Sequence, residues 1–217
     1  MQRVARIIEG DTAPRQAVVL SACRGVTDAL LNLVAMAERQ DAALEDRIEE
    51  LRQRHVNTAR ELISGELYDE FVVDLDRDCR DIAGILQTVR LVRAASTTLR
   101  DLIAGYGELW STRIFERLLR ARGNAGRVLW LDARRVLLVE WGPLGPGVRW
   151  EQSRANLGQL VPADFTGTVV VTGFIATDTQ GLQTTLGRNG SDFSASIFGS
   201  LLNAREIVIW TDVDGVL

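Results

Sequence analysis

Residues 184–196 read TTLGRNGSDFSAS, and they stand where a strand-like run should give way to a helix. Gly187, Arg188, Asn189, Gly190, Ser191 and Asp192 crowd that junction. The glycines permit positive φ or close backbone approach, and Ser191 or Asp192 suits a helix N-cap. A helix N-terminus offers unpaired N–H groups and the positive end of a dipole, so it can hold an anion. Arg188 adds a planar fork matched to a carboxylate or phosphate. A capped helix with a surface arginine explains the same residues equally well. The rest of the chain has to decide between the two.

Working outward, the same junction recurs. QAVVLSA (16–22) is an apolar run of the buried parallel-strand type, followed at once by the helical periodicity of CRGVTDALLNLVAMAERQ. Within it, GVTD (25–28) puts Thr27 or Asp28 near a helix start, where Ser21 and Thr27 can meet an anion. RVLWLDA and RVLLVE read as strands and GPLGPG as a turn. WEQSRANLGQL reads as a short helix and GTVVVTGFIA (167–176) as one buried strand running into a loop. SDFSASIFGSLLNA is a helix, and EIVIWTDVDGVL (206–217) a strand ending at Thr211, Asp212 and Asp214. Residues 42–93 carry no strand pattern; they read as two long amphipathic helices broken at SGEL, a helical insertion. VARII (4–8) resembles the tail of a further helix. Strands alternating with helices predict an α/β sheet covered by helices, and ligands gather at the carboxyl ends of such strands. The motifs lie at those ends.

Composition removes several function classes. The 217 residues are 46% hydrophobic and 25% charged with a net charge of −4, which gives no footprint for nucleic acid. No apolar run approaches a bilayer span, and the opening residues lack a secretory pattern. Cys23 and Cys79 stand far apart with no CxxC spacing, so no metal ligands are assigned and a cytoplasmic location is expected. All 25 basic residues are arginine. A Walker-type phosphate loop needs a lysine, as does a Schiff base, so both are excluded.

Three further readings complete the inventory. GYGELW (105–110) sets Glu108 in the first turn of a helix, where the dipole favours an acid and where a carboxylate can also receive an ammonium group. The single histidine, His55, lies among arginines and glutamates on a long helix and reads as a surface or structural residue. Asp212 and Asp214 suit a nucleotide or metal, yet DVDG also makes a plain turn.

Taken in order, VVLSACRGVTD, GELWS, VVVTGFIA and TTLGRNGSDFSASIFGSLLNAREIVIWTDVDGV closely resemble the aspartate kinase family over nearly the whole chain. Asn189 within GRNGSD is most like the kinase portion of bifunctional aspartokinase–homoserine dehydrogenases. The resemblance implies the amino-acid kinase (carbamate kinase-like) fold, a three-layer α/β/α sandwich with a mainly parallel sheet and a helical insertion at about 42–93. It implies transfer of the γ-phosphoryl group of ATP, with Mg²⁺, to L-aspartate, giving ADP and 4-phospho-L-aspartate. That reaction opens the route to lysine, threonine, methionine and isoleucine. In the resemblance Arg188 matches the arginine that grips the α-carboxylate, and Glu108 the acid that meets the ammonium. Ser21, Thr27 and Ser191 match positions lining the amino-acid site, and Asp192 an acid beside the transferring phosphate. Thr211 and Asp212 match the nucleotide-binding turn. The full-length protein is expected to be a homo-oligomer, with fusion to homoserine dehydrogenase as one form. Neither nucleic acid nor membrane is an expected partner.

The family's pattern opens with a KFGGTS-type strand bearing a lysine and closes its nucleotide site with an ADPR-type segment and a later lysine. Neither occurs in this sequence. The expectation is therefore a partial amino-acid kinase domain over 1–217, inactive alone. The alternatives are another enzyme of the same fold and a non-catalytic ligand-binding or interaction module.

Overall fold

Three consecutive valines in β5 (Gly167–Thr172) lie at or below 4% exposure, which marks this strand as the centre of a sheet. The computed structural model describes residues 1–124, 127–143, 145–187 and 189–210. In it β5 is flanked by β1 (Arg15–Leu20) and β2 (Val128–Leu131), both parallel to it, with Val18 opposite Val170 and Leu131 opposite Val171. Parallel strands need long crossovers. Between β1 and β2 the chain runs through α2 (Val26–Glu38), α3 (Leu44–Leu62), α4 (Glu66–Val92), α5 (Thr97–Ala104) and α6 (Tyr106–Leu119). Upstream, α1 (Gln2–Gly10) packs on α6.

A second, mixed sheet has the order β4-β3-β6-β7, from β3 (Leu138–Gly142), β4 (Gly145–Val148), β6 (Ile175–Asp178) and β7 (Gln183–Thr185). Next come α7 (Trp150–Leu160), between β4 and β5, and α8 (Gly190–Leu201) after β7. The architecture is the three-layer α/β/α sandwich of the amino-acid kinase fold, α6 packing on all three strands of the first sheet and α8 on β1. Every residue of α6 except Arg113 is buried. Several of its polar side chains are paired: Ser111 and Thr112 donate to the Glu108 carbonyl, and Arg117 pairs with Asp74 of α4.

Three elements differ from the sequence reading. GTVVVTGFIA is two strands in two sheets, because the chain bends at Gly173 and Phe174 between β5 and β6. GPLGPG is not only a turn; Gly145–Val148 pairs antiparallel with β3, Pro146 opposite Trp141. Proline is tolerated because β4 is an edge strand. Residues 206–210 form no strand among the described residues, and Val208 and Trp210 are 60% and 73% exposed. His55 is buried, so of its two readings the structural one holds.

Candidate functional site

Two helices begin at one place. α2 starts after Gly25 (φ 73°) and α8 after Asn189 (φ 58°), and neither has a side-chain cap. Thr27, Asp28, Ser191 and Asp192 therefore lie in the first turns rather than at the caps, and the first-turn N–H groups have no side-chain acceptor there. Both starts line a cavity of about 430 Å³ that also takes in Ser21, Cys23, Arg24, Glu108, Phe174 and Gly187.

Small residues permit this convergence. A Cβ on Gly107 would sit 2.7 Å from that of Ala22, so α6 can press against the loop after β1 only with glycine there. A Cβ on Gly173 would meet the Ser191 hydroxyl at 2.8 Å, which ties the β5–β6 bend to α8. Phe174 holds φ at 65°, a costly conformation for an aromatic residue. Its N–H donates to Ser194 Oγ at 2.9 Å, and that hydroxyl donates on to the Gly190 carbonyl. Ser194 thus fixes the strained residue from inside α8.

Glu108 supplies the site's chemistry. It is 3% exposed, and its Oε1 accepts the Ala22 N–H at 3.1 Å. Its Oε2 is buried with no hydrogen-bond partner among the described residues. Burial pushes the carboxyl up to about 7, against the lowering effect of the Ala22 N–H. Such a group is poised to take a cationic partner. Burial raises the Cys23 thiol above its ordinary value, which disfavours the thiolate.

The cavity brings together Ser21, Thr27, Glu108, Ser191 and Asp192. Arg188, Thr211 and Asp212 lie outside the described residues. Among the described residues no cluster of three or more His, Cys, Asp or Glu side chains is placed to hold a metal. A magnesium ion carried on phosphates takes only one or two protein carboxylates, and Asp28 and Asp192 are exposed carboxylates at this cavity, so the residues fit it. Sequence reading missed Ser194 and the bend that Gly173 and Phe174 make. A serine four residues after a helix-starting glycine is their faint signal.

The sequence model of the amino acid kinase family matches residues 1–217. The chain belongs to the amino acid kinase family. Within the family it is 35% identical over 219 residues to the chloroplastic bifunctional aspartokinase/homoserine dehydrogenase 2 of Arabidopsis thaliana, covering 100% of this chain and 24% of that protein. It is 33% identical over 230 residues to lysine-sensitive aspartokinase 3 of Escherichia coli strain K12, covering 100% of this chain and 46% of the relative. The crystal structure of E. coli aspartokinase III in complex with aspartate and ADP superposes with a TM-score of 0.83 at 30% identity, over 99% of this chain and 46% of that one. This amino acid kinase chain thus spans less than half the length of the relatives it matches.

Proposed function

We propose that the chain is the amino-acid-binding part of an aspartate kinase, which transfers the γ-phosphoryl group of ATP to the side-chain carboxylate of L-aspartate. The observation that carries the reading is the buried Glu108 Oε2, without a partner among the described residues, in a cavity where two uncapped helices start. An α-amino acid has the complementary pattern, one ammonium beside anionic groups. The likeness to an aspartokinase structure holding aspartate and ADP supports the same ligands here.

Glu108 receives the ammonium, Arg188 forks the α-carboxylate, and Ser21, Thr27 and Ser191 line the remainder of the amino acid. In this reading Asp192 serves the transferring group, and Thr211 and Asp212 serve the nucleotide. Bound ATP with Mg²⁺ supplies the phosphoryl group and offsets its charge. The protein's own contribution is to orient the acceptor carboxylate, which is the main task in phosphoryl transfer. In this reading the product, 4-phospho-L-aspartate, feeds lysine, threonine and methionine synthesis in the cytoplasm, and the longer protein is a homo-oligomer.

The test is calorimetric binding of L-aspartate and of succinate, which lacks the amino group, to the parent and to Glu108→Gln. The parent is expected to prefer aspartate, and the variant to lose on the order of tenfold for aspartate with succinate little changed. Equal losses for both ligands would show Glu108 to be only a helix-terminal acid.

A further inference from the structure

The cavity mouth holds one more charged group that neither the family match nor the sequence motifs assign. Arg24 lines the cavity and is exposed, whereas Glu108 lies in its buried part. The Arg24 backbone is pinned: its carbonyl accepts from Arg54 Nη2 of α3 at 2.7 Å, and Gly25 turns the chain at φ 73° into α2. Its guanidinium has no hydrogen bond or ion pair among the described residues. Three carboxylates, Asp28, Glu108 and Asp192, line the same cavity, and Arg24 is its one cationic side chain among the described residues. The chain has no lysine to share the task.

We propose that Arg24 is a specificity-determining residue, held at the mouth by Arg54 so that its guanidinium reads the side-chain carboxylate of the bound amino acid and separates the acid from its amide. The proposal rests on the aspartate-site reading above, with Glu108 fixing the ammonium at the inner end and leaving the side chain directed outward. A planar guanidinium suits a carboxylate in two-point contact and gains little from a neutral amide. Its exposure keeps the effect moderate and sensitive to salt.

The experiment measures binding of L-aspartate and L-asparagine to the 217-residue chain, as the parent, Arg24→Gln and Arg24→Lys, with thermal unfolding as a check on folding. Arg24→Gln is expected to weaken aspartate about tenfold and asparagine less than twofold. Arg24→Lys, which keeps the charge but loses the fork, should retain most of the preference. The proposal is overturned if Arg24→Gln binds aspartate like the parent, or loses both ligands equally. If aspartate still shows its Glu108-dependent preference over succinate in those cases, only the role of Arg24 falls. A parent chain that binds no aspartate overturns both readings.

Discussion

Glu108 carries opposite consequences for the free and the ligand-bound protein, and pH separates them. Its carboxyl titrates near 7 in the folded chain against 4.5 ordinarily, because burial penalises the charge. The folded state therefore binds the proton more tightly than the unfolded one. This residue's contribution to stability is greatest below pH 4.5 and is lost as pH rises through 7. An ammonium ligand reverses the balance, since it pairs only with the carboxylate. Aspartate affinity is thus expected to rise several-fold between pH 6 and pH 8, with proton release on binding near neutrality. Glu108→Gln should abolish both the slope and the release. Titrations in two buffers of different ionisation enthalpy would measure them, and a flat profile in the parent would sink the assignment. The sequence placed Glu108 in a first helical turn but could not reveal its environment. What isolates Oε2 is contact between α6 and the loop after β1, across 86 residues of chain.

At the scale of elements, the helical insertion is more than a surface addition, because its polar groups are locked to α6. Asp78 of α4 is buried and accepts from Trp110 Nε1 at 3.0 Å and from Arg113. His55 of α3 meets Trp110 edge-on, ring centroids 4.7 Å apart, and its Nδ1 lies 2.8 Å from the Leu51 carbonyl. That contact places the proton on Nδ1 and leaves Nε2 as a buried acceptor without a partner among the described residues. Burial lowers the imidazole to about 4, so the unfolded chain takes the proton first as pH falls. The stability that neutral His55 contributes is present above pH 6.5 and is lost as pH falls toward 4, on the order of 2–3 kcal/mol. His55→Phe should fill the space without titrating, and should therefore hold more of its stability at pH 4.5 than the parent does. Urea midpoints at pH 4.5 and 7.5 check this; identical pH slopes would contradict it. Glu108 titrates in both proteins and cancels. The helices themselves were legible, because α3 and α4 break at Gly65 where SGEL predicts. The β5–β6 bend was not, since GTVVVTGFIA reads as one β-prone run and Phe174 is held by partners distant in sequence, the Leu186 N–H and the Ser194 hydroxyl, 20 residues on. Edge strand β4 was hidden by its own composition, which is that of a turn.

Across the whole molecule, the strand expected at 206–217 exposes the limit of local pattern. Its apolar run has the composition of a buried strand, yet residues 206–210 pair with no described strand. Ile207 packs against α8, where Gly199 leaves room for it, while Val208, Ile209 and Trp210 remain 48% or more exposed. In the first sheet, β1 and β2 each pair only with β5 among the described residues, so both present a strand edge. Exposed β-branched and aromatic residues and open strand edges both favour pairing between chains. The 217-residue polypeptide is therefore expected to self-associate at micromolar concentrations. Val208→Lys combined with Trp210→Glu should shift it toward monomer without lowering its melting temperature by more than a few degrees, because both side chains lie in solvent. Sedimentation velocity across a concentration series reads the association, and thermal unfolding reads the fold. A parent that stays monomeric, or a double variant that associates as the parent does, would place the cause elsewhere. Because neither residue lines the cavity, the variant should also bind aspartate as the parent does. Association and ligand recognition would then be separable properties of one chain.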